Sequence, residues 1–261
     1  MRNDRRALDE LRTVNITPRF TGTPAGSVLW QQGRTLVWCT ASILTELPPW
    51  MPDNRPGGWI TADYVMLPAS TPRRKAWPSL GHTDSRGTEI QRLIGRCLRA
   101  VVDLSKIGPF TIALDCQVMQ ADGGTRTAAI CGAYLALRDA LGSLPTQLPP
   151  PPAGAMMTRR YDPAFYDPTH ALVDELAAVS AGLVDGQACL DLDYSEDCRA
   201  TVDMNVACTA TGRLVEIQAS AENGQGFARQ QLDQLLDLCA RGCARLIEIQ
   251  RQAYASPPVV V

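Results

Sequence analysis

Apolar positions recur with two different periods along this 261-residue chain. Near the N-terminus the period is two. GSVLW (26–30) and TLVWCTASI (35–43) flank Gln31–Arg34, where Gly33 supplies a turn, and together they predict a β-hairpin. Trp59–Leu67 alternates weakly and Phe110–Gln120 is a β-branched, apolar run, so both read as strands. The period then lengthens. Thr88–Leu104 puts Ile90, Leu93, Ile94, Cys97, Leu98 and Val101 on one face, with Arg92, Arg96 and Arg99 elsewhere, predicting an amphipathic helix. Thr125–Leu141 is small and apolar almost throughout, as in a helix buried on most sides. The same order returns in the second half. Ala177–Val184 and Gln187–Tyr194 flank Asp185-Gly186, a two-residue hairpin turn, and Asp203–Thr209 with Arg213–Ala219 predict a second hairpin. A long helix over Ala228–Ala253 follows, striped by Leu232, Leu235, Leu236, Cys239, Cys243, Leu246 and Ile247.

Between the halves lies LGSLPTQLPPPPAGAMMTRRYDP (141–163), whose prolines cannot continue a helix or a central strand. It divides the chain into a first unit (1–145), a proline-rich surface connector (146–168) and a second unit (169–261). The likeness of GRTLVWCTAS (33–42) to GRLVEIQAS (212–220) agrees with a duplication. The expected fold class is α+β, an α/β sandwich of two similar units sharing one core.

Composition narrows the class. With 45% hydrophobic and 20% charged residues the chain is neither disordered nor collagenous nor membrane-embedded. The charged MRNDRRALDELR start does not suit a secretory signal, and prolines disqualify the charge-free Ala140–Thr158 as a membrane helix. Nine scattered cysteines without a CxxC pair fit buried thiols in a reducing, cytoplasmic compartment. With only His82 and His170, a zinc site or a histidine-based triad has little raw material.

Charge adds more than its sum. The net formal charge is −2, yet residues 1–145 carry 17 basic and 12 acidic side chains, against 8 and 15 in residues 146–261. The halves are thus +5 and −7. All the basic residues but Lys75 and Lys106 are arginine, whose planar fork suits phosphate, although a GC-rich genome produces the same bias.

Two stretches carry candidate chemistry. In QADGGTRTAAI (120–130), Gly123 and Gly124 permit a sharp turn, and Thr125 and Arg126 fall at a helix N-terminus, where free N–H groups favour an anion. The spacing suits either a phosphate cradle or a tight turn with Thr125 as cap. Arg86, just before the first helix, reads as a second fork or as a solvated surface residue. In LDLDYSEDCRATVDMN (190–205), strand alternation puts Asp191 and Asp193 on one face. Asp191 and Asp197 would lie roughly 20 Å apart in a straight strand, so joint action needs a bend near Ser195–Glu196. Such carboxylates suit Mg²⁺, or form an exposed acidic strand edge.

The chain resembles the ribonuclease PH family, the phosphate-dependent 3′-exoribonucleases of bacteria. The resemblance runs through DRRALDELRTVNIT (4–17), GSVLWQQGRTLVWCTAS, GWITADYVMLPAST (58–71), EIQRLIGRCLRA (89–100), LDCQVMQADGGTRTAAICGA (114–133), AAVSAGLVDG (177–186), LDLDYSED and DMNVACTATGRLVEIQ (203–218). The ordered set EIQRLIGR, QADGGTRT and DMN is its most specific part.

The resemblance implies a fold of two pseudo-repeated βαβα-type units and a homohexamer built as a trimer of dimers. It implies a phosphate site of Arg86, Gly124, Thr125 and Arg126, and Mg²⁺ (or Mn²⁺) held by Asp191 and Asp197. It also implies an RNA-binding loop, here Arg73, Arg74 and Lys75. The implied activity is trimming of 3′ ends of tRNA precursors and other RNA, with inorganic phosphate as co-substrate and nucleoside diphosphates as products. The alternative is a non-catalytic RNA-binding ring subunit of an exosome-like assembly. The chain departs from the family pattern at SRGTEIQR (85–92), at Asp63 in place of Glu, and at Ala69 and Trp77 in place of arginines.

Overall fold

GSVLWQQ and TLVWCTASIL form β2 (Gly26–Gln32) and β3 (Thr35–Leu44), which pair antiparallel down to Gln32↔Thr35. The two residues left over make the turn, with Gly33 at φ +57. The computed structural model describes residues 2–52, 54–77, 85–151, 158–222 and 226–255, so His82 lies outside the described residues. β1 (Val14–Pro18) pairs with β2, β5 (Thr111–Gln120) pairs antiparallel with β3, and β4 (Trp59–Met66) runs parallel to β5. The sheet order is β1-β2-β3-β5-β4. Alternation gives it one apolar face, including Val28, Trp30, Val37, Cys39, Ile112, Leu114, Cys116 and Val118.

The second sheet has the order β7-β6-β8-β9, from β6 (Leu176–Val184), β7 (Gln187–Leu190), β8 (Ala200–Thr209) and β9 (Leu214–Ala221). β6 is buried at every position because both its faces are covered. On one face lies α2 (Thr125–Gly142), whose Cys131 Sγ is 3.3 Å from the Ala178 carbonyl. On the other lies the C-terminal helix α4 (Arg229–Ala255), whose Cys243 Sγ is 3.4 Å from the Ala177 carbonyl. α2 is therefore enclosed between two sheets, as its lack of a polar face requires. α1 (Ser85–Arg99) packs against α2 and β4, and its Arg96 pairs with Glu216 of β9 at 2.9 Å. One hydrophobic core runs through both halves, from Val28 to Ile247.

Several boundaries differ from expectation. The first helix stops at Arg99 rather than Leu104, because the following backbone bonds elsewhere: Asp103 N donates to Ala171 O, and Val101 O accepts from Val173 N. The strand expected over Gln187–Tyr194 ends at Leu190. The proline-rich connector, where described, makes short 3₁₀ turns rather than one extended run, and Tyr166 OH donates to Pro145 O. Eight of nine cysteines are buried and all are free, with Cys198 exposed. Among the described residues no helix is long and apolar enough to cross a membrane.

Candidate active site

Behind β5 the chain must reverse quickly to start α2, and Gly123 and Gly124 do this at φ +77 and +63. A Cβ on Gly123 would stand 2.5 Å from the Leu192 carbonyl oxygen, so the loop lies directly against the second half. Thr35 Oγ1 donates to Gly123 O at 2.7 Å and accepts from Asp122 N at 3.0 Å, which fixes the loop to β3. Gly124 caps α2 without any side-chain bond. The free N–H groups of the helix start thus face a cavity of about 540 Å³.

Thr125 and Arg126 follow in the first turn. The buried Thr125 hydroxyl accepts a hydrogen bond from Tyr64 OH at 2.9 Å. Burial raises the Tyr64 pKa, against the opposing pull of Thr125, Arg86 and Arg126. Arg126 lies 3.5 Å from Glu89, and its buried Nε has no protein partner. Arg86, in the first turn of α1, lines the same cavity. Both arginines and the glycine loop therefore line one cavity, an arrangement that suits an anion. The basic loop joins them. Ser70 O accepts from Ala121 N at 2.8 Å, so this loop is tied to the residue before Asp122, and Arg73, Arg74 and Lys75 line the cavity mouth. Among the departures, Asp63 lies on the exposed side of β4, hydrogen-bonded to Gln91, while Trp77 is exposed.

The acidic wall is built differently from expectation. Asp191 does not line the cavity. It sits at φ +54, its side chain is 1% exposed, and Arg12 occupies it through Nη2 at 2.6 Å, Nε at 3.1 Å and the backbone N at 2.7 Å. Burial opposes its charge, but the Arg12 guanidinium outweighs that and holds its pKa below the usual carboxylate range. A carboxylate so engaged has no oxygen to spare for a metal. Asp193 is not a strand residue facing with Asp191 either. It is the N-cap of the one-turn helix α3 (Tyr194–Asp197), in a capping box with Glu196.

The helical turn of α3 carries Asp197 into the cavity, where Asp203 and Asn205 of β8 join it. Alternation places Asp203 and Asn205 on one face of β8, and Asn205 Nδ2 donates to Asp203 Oδ2 at 3.3 Å. Burial, then the neighbouring Asp197 charge, pushes the Asp203 pKa up to about 6, against the pull of Arg126. Burial likewise raises Asp197, with Arg86 and Arg126 opposing. Ser180 and Tyr194 complete this side.

Two carboxylates lining one cavity, with the Asp197 charge helping to raise the Asp203 pKa and an amide side chain beside them, suit a hard divalent cation. Among the described residues no group of three or more His, Cys, Asp or Glu suits a metal. Mg²⁺ typically takes one or two carboxylates plus water and substrate phosphates, and the Asp197–Asp203 pair fits that pattern. The expected pair, Asp191 with Asp197, does not.

A sandwich that sets an anion cradle from one half against a carboxylate pair from the other has the layout of an enzyme acting on phosphate esters. Comparison with known proteins gives the family. Residues 10–141 match the 3′ exoribonuclease family, domain 1, and residues 174–242 match its domain 2. The ribonuclease PH of Rhodococcus erythropolis is 52% identical over 257 residues, covering 98% of this chain and 92% of that protein. That of Nocardia farcinica is 51% identical, covering 98% and 93%. Among solved structures, the Archaeoglobus fulgidus exosome with RNA bound to the active site aligns with a TM-score of 0.74 at 23% identity, covering 95% of this chain and 91% of that one. Rice Rrp46 aligns with a TM-score of 0.70 at 17% identity, covering 96% and 98%. The chain belongs to the ribonuclease PH family of 3′ exoribonucleases. It is a phosphorolytic exoribonuclease, an enzyme of nucleotidyltransferase type.

Proposed function

We propose that inorganic phosphate is bound by Arg86, Arg126, the Thr125 hydroxyl and the N–H groups of Gly124 and Thr125. The RNA 3′ end lies across Asp197 and Asp203. The observation that supports this best is one cavity lined by both arginines, the glycine loop and both aspartates. A phosphate oxygen attacks the phosphorus of the last phosphodiester. The bond to the 3′-oxygen of the preceding nucleotide breaks, and that oxygen takes up a proton. The products are a nucleoside diphosphate and RNA one nucleotide shorter with a free 3′-hydroxyl.

Bringing two anions together is the main obstacle, so the work lies in positioning and charge neutralisation. Arg126 and Arg86 neutralise the nucleophile, and the buried Arg126 Nε has an unused donor for it. Asp197 and Asp203 would hold Mg²⁺ (or Mn²⁺), which supplies charge stabilisation at the scissile phosphate. Arg73, Arg74 and Lys75 grip the RNA backbone without reading bases. The cavity thus sets basic side chains of the positive half beside carboxylates of the negative half, as a reaction that needs an anion site next to a cation site requires.

The substrate class is RNA 3′ ends, including tRNA precursors, and the assembly a cytoplasmic homohexamer, a trimer of dimers. Both extend the family resemblance to this chain. Light scattering tests the assembly, with an expected mass six times the 28.3 kDa of one chain. Incubating the protein with Mg²⁺ and a tRNA carrying extra 3′ nucleotides tests the reaction. Trimming is expected only when phosphate is added, and trimming at equal rate without phosphate contradicts it. The non-catalytic alternative does not suit a cavity that keeps both arginines and a carboxylate pair.

A further inference from the structure

Arg12 lies outside the main cavity, yet it is bonded to both of its walls. On one side its Nη1 donates to the Asp122 carbonyl at 2.6 Å, immediately before the two glycines. Its Nη2 stands 2.9 Å from where a Cβ on Gly124 would be, directly behind the anion loop. On the other side Nε, Nη2 and the backbone N all donate to the Asp191 carboxylate. Asp191 is the hinge of the acidic wall. Its N donates to Ser180 O at 2.6 Å, its left-handed backbone turns the chain off β7, and two residues later Asp193 starts α3. The rest of the N-terminal segment holds the same turn. Arg2 forks onto the buried Glu196 at 2.7 and 2.8 Å and reaches Leu190 O and Asp191 O, and Arg6 also donates to Asp191 O.

Burying this much charge is not an efficient route to stability, because apolar replacements of buried ion pairs are often equally stable. What a guanidinium provides is a rigid plane of donors with fixed angles between its partners. Here one plane spans the anion loop of the first half and the turn that carries Asp197 in the second. Reactions governed by alignment lose about 10²-fold for a misplacement near 1 Å. The geometry points to Arg12, with Asp191 as its partner, as the positioning residue that sets the separation between the phosphate loop and the helix carrying Asp197. It touches no substrate and acts through Asp122 and Asp191. A lysine at position 12 keeps the charge, but its single ammonium cannot hold this bridging geometry.

This inference rests on the cradle and metal pair proposed above, and its test separates the two. Arg12→Lys keeps the buried charge, and the double variant Arg12→Met with Asp191→Asn removes both charges together. Three quantities are read on folded protein: the KM for phosphate, Mn²⁺ affinity by electron paramagnetic resonance without turnover, and RNA affinity by fluorescence anisotropy without phosphate. Both variants are expected to raise the phosphate KM tenfold or more and to weaken Mn²⁺ several-fold, with RNA affinity unchanged. Wild-type phosphate KM and Mn²⁺ affinity in either folded variant overturn the inference. So does failure of both variants to fold, which makes Arg12 a residue of stability alone. If only the double variant fails, Arg12→Lys decides. If Asp203→Asn binds Mn²⁺ as wild type does, the metal reading fails instead, and the phosphate KM of the Arg12 variants still tests the link.

Discussion

Asp197 at the end of α3 and Asp203 on β8 line one cavity, and the charge of Asp197 adds to burial in lifting the Asp203 pKa to about 6. The folded-state pKa thus exceeds the ordinary 3.8. In metal-free protein the proton on Asp203 contributes stability below pH ~4 that is lost as pH rises through about 6, on the order of 2–3 kcal/mol. Asp203→Asn should therefore unfold at a higher temperature than wild type at pH 7.5 without metal, and at a similar one near pH 4. Adding Mg²⁺ should raise the wild-type Tm and leave the variant unmoved. Calorimetry at the two pH values checks both statements.

Removing Arg126 takes away a fork whose buried Nε has no partner within the protein. Arg126→Ala should lower kcat/KM for phosphate on the order of 10²-fold, as loss of a donor to developing charge does. RNA affinity measured without phosphate should stay within about twofold of wild type.

The basic loop should behave in the opposite way. Replacing Arg73, Arg74 and Lys75 together by alanine should weaken RNA binding and reduce the slope of log affinity against log salt by about 2, near 0.7 for each single-strand phosphate no longer neutralised. The KM for phosphate should not move. Anisotropy titrations between low and moderate salt give the slope.

Two left-handed glycines differ in what surrounds them. A methyl group added at Gly123, φ +77, would run into the Leu192 carbonyl, whereas one added at Gly186, φ +76, would meet nothing within 4 Å. Gly186→Ala should cost about 1–2 kcal/mol of stability by backbone strain alone. Gly123→Ala should cost about 3 kcal/mol or more, since strain and a backbone clash add, and it should inactivate by displacing the anion loop. Urea unfolding of the two variants makes the comparison.

Much of the site is legible along the chain, for physical reasons particular to each part. The sharp turn at Gly123 and Gly124 is legible because two glycines before an apolar helix leave few other shapes for the backbone, whereas Arg86, Thr125 and Arg126 are singled out as phosphate ligands only by the family resemblance. The Asp185-Gly186 turn and the largely apolar α2 are equally direct. The acidic wall is not. Alternation in the sequence runs on through Asp191 to Tyr194, but β7 ends at Leu190 and the chain turns away. A buried arginine from a segment 179 residues away holds that aspartate, and local spacing cannot reveal such a partner. Asp203 reads at first as an ordinary hairpin residue. Its signal is nonetheless present: Asp203 and Asn205 alternate with the buried Val202, Met204 and Val206 along β8. A polar face within a buried strand is more informative than an acidic run on its own.

In the proposed reaction, phosphate held between Arg86 and Arg126 becomes part of the product. Wild-type protein, Mg²⁺, RNA and inorganic phosphate labelled with ³²P test this most directly. The expected result is label in the β-phosphate of every released nucleoside diphosphate, with incorporation falling on the order of 10²-fold in Arg126→Ala. Release of unlabelled nucleoside monophosphates at the same rate with or without phosphate would contradict the account.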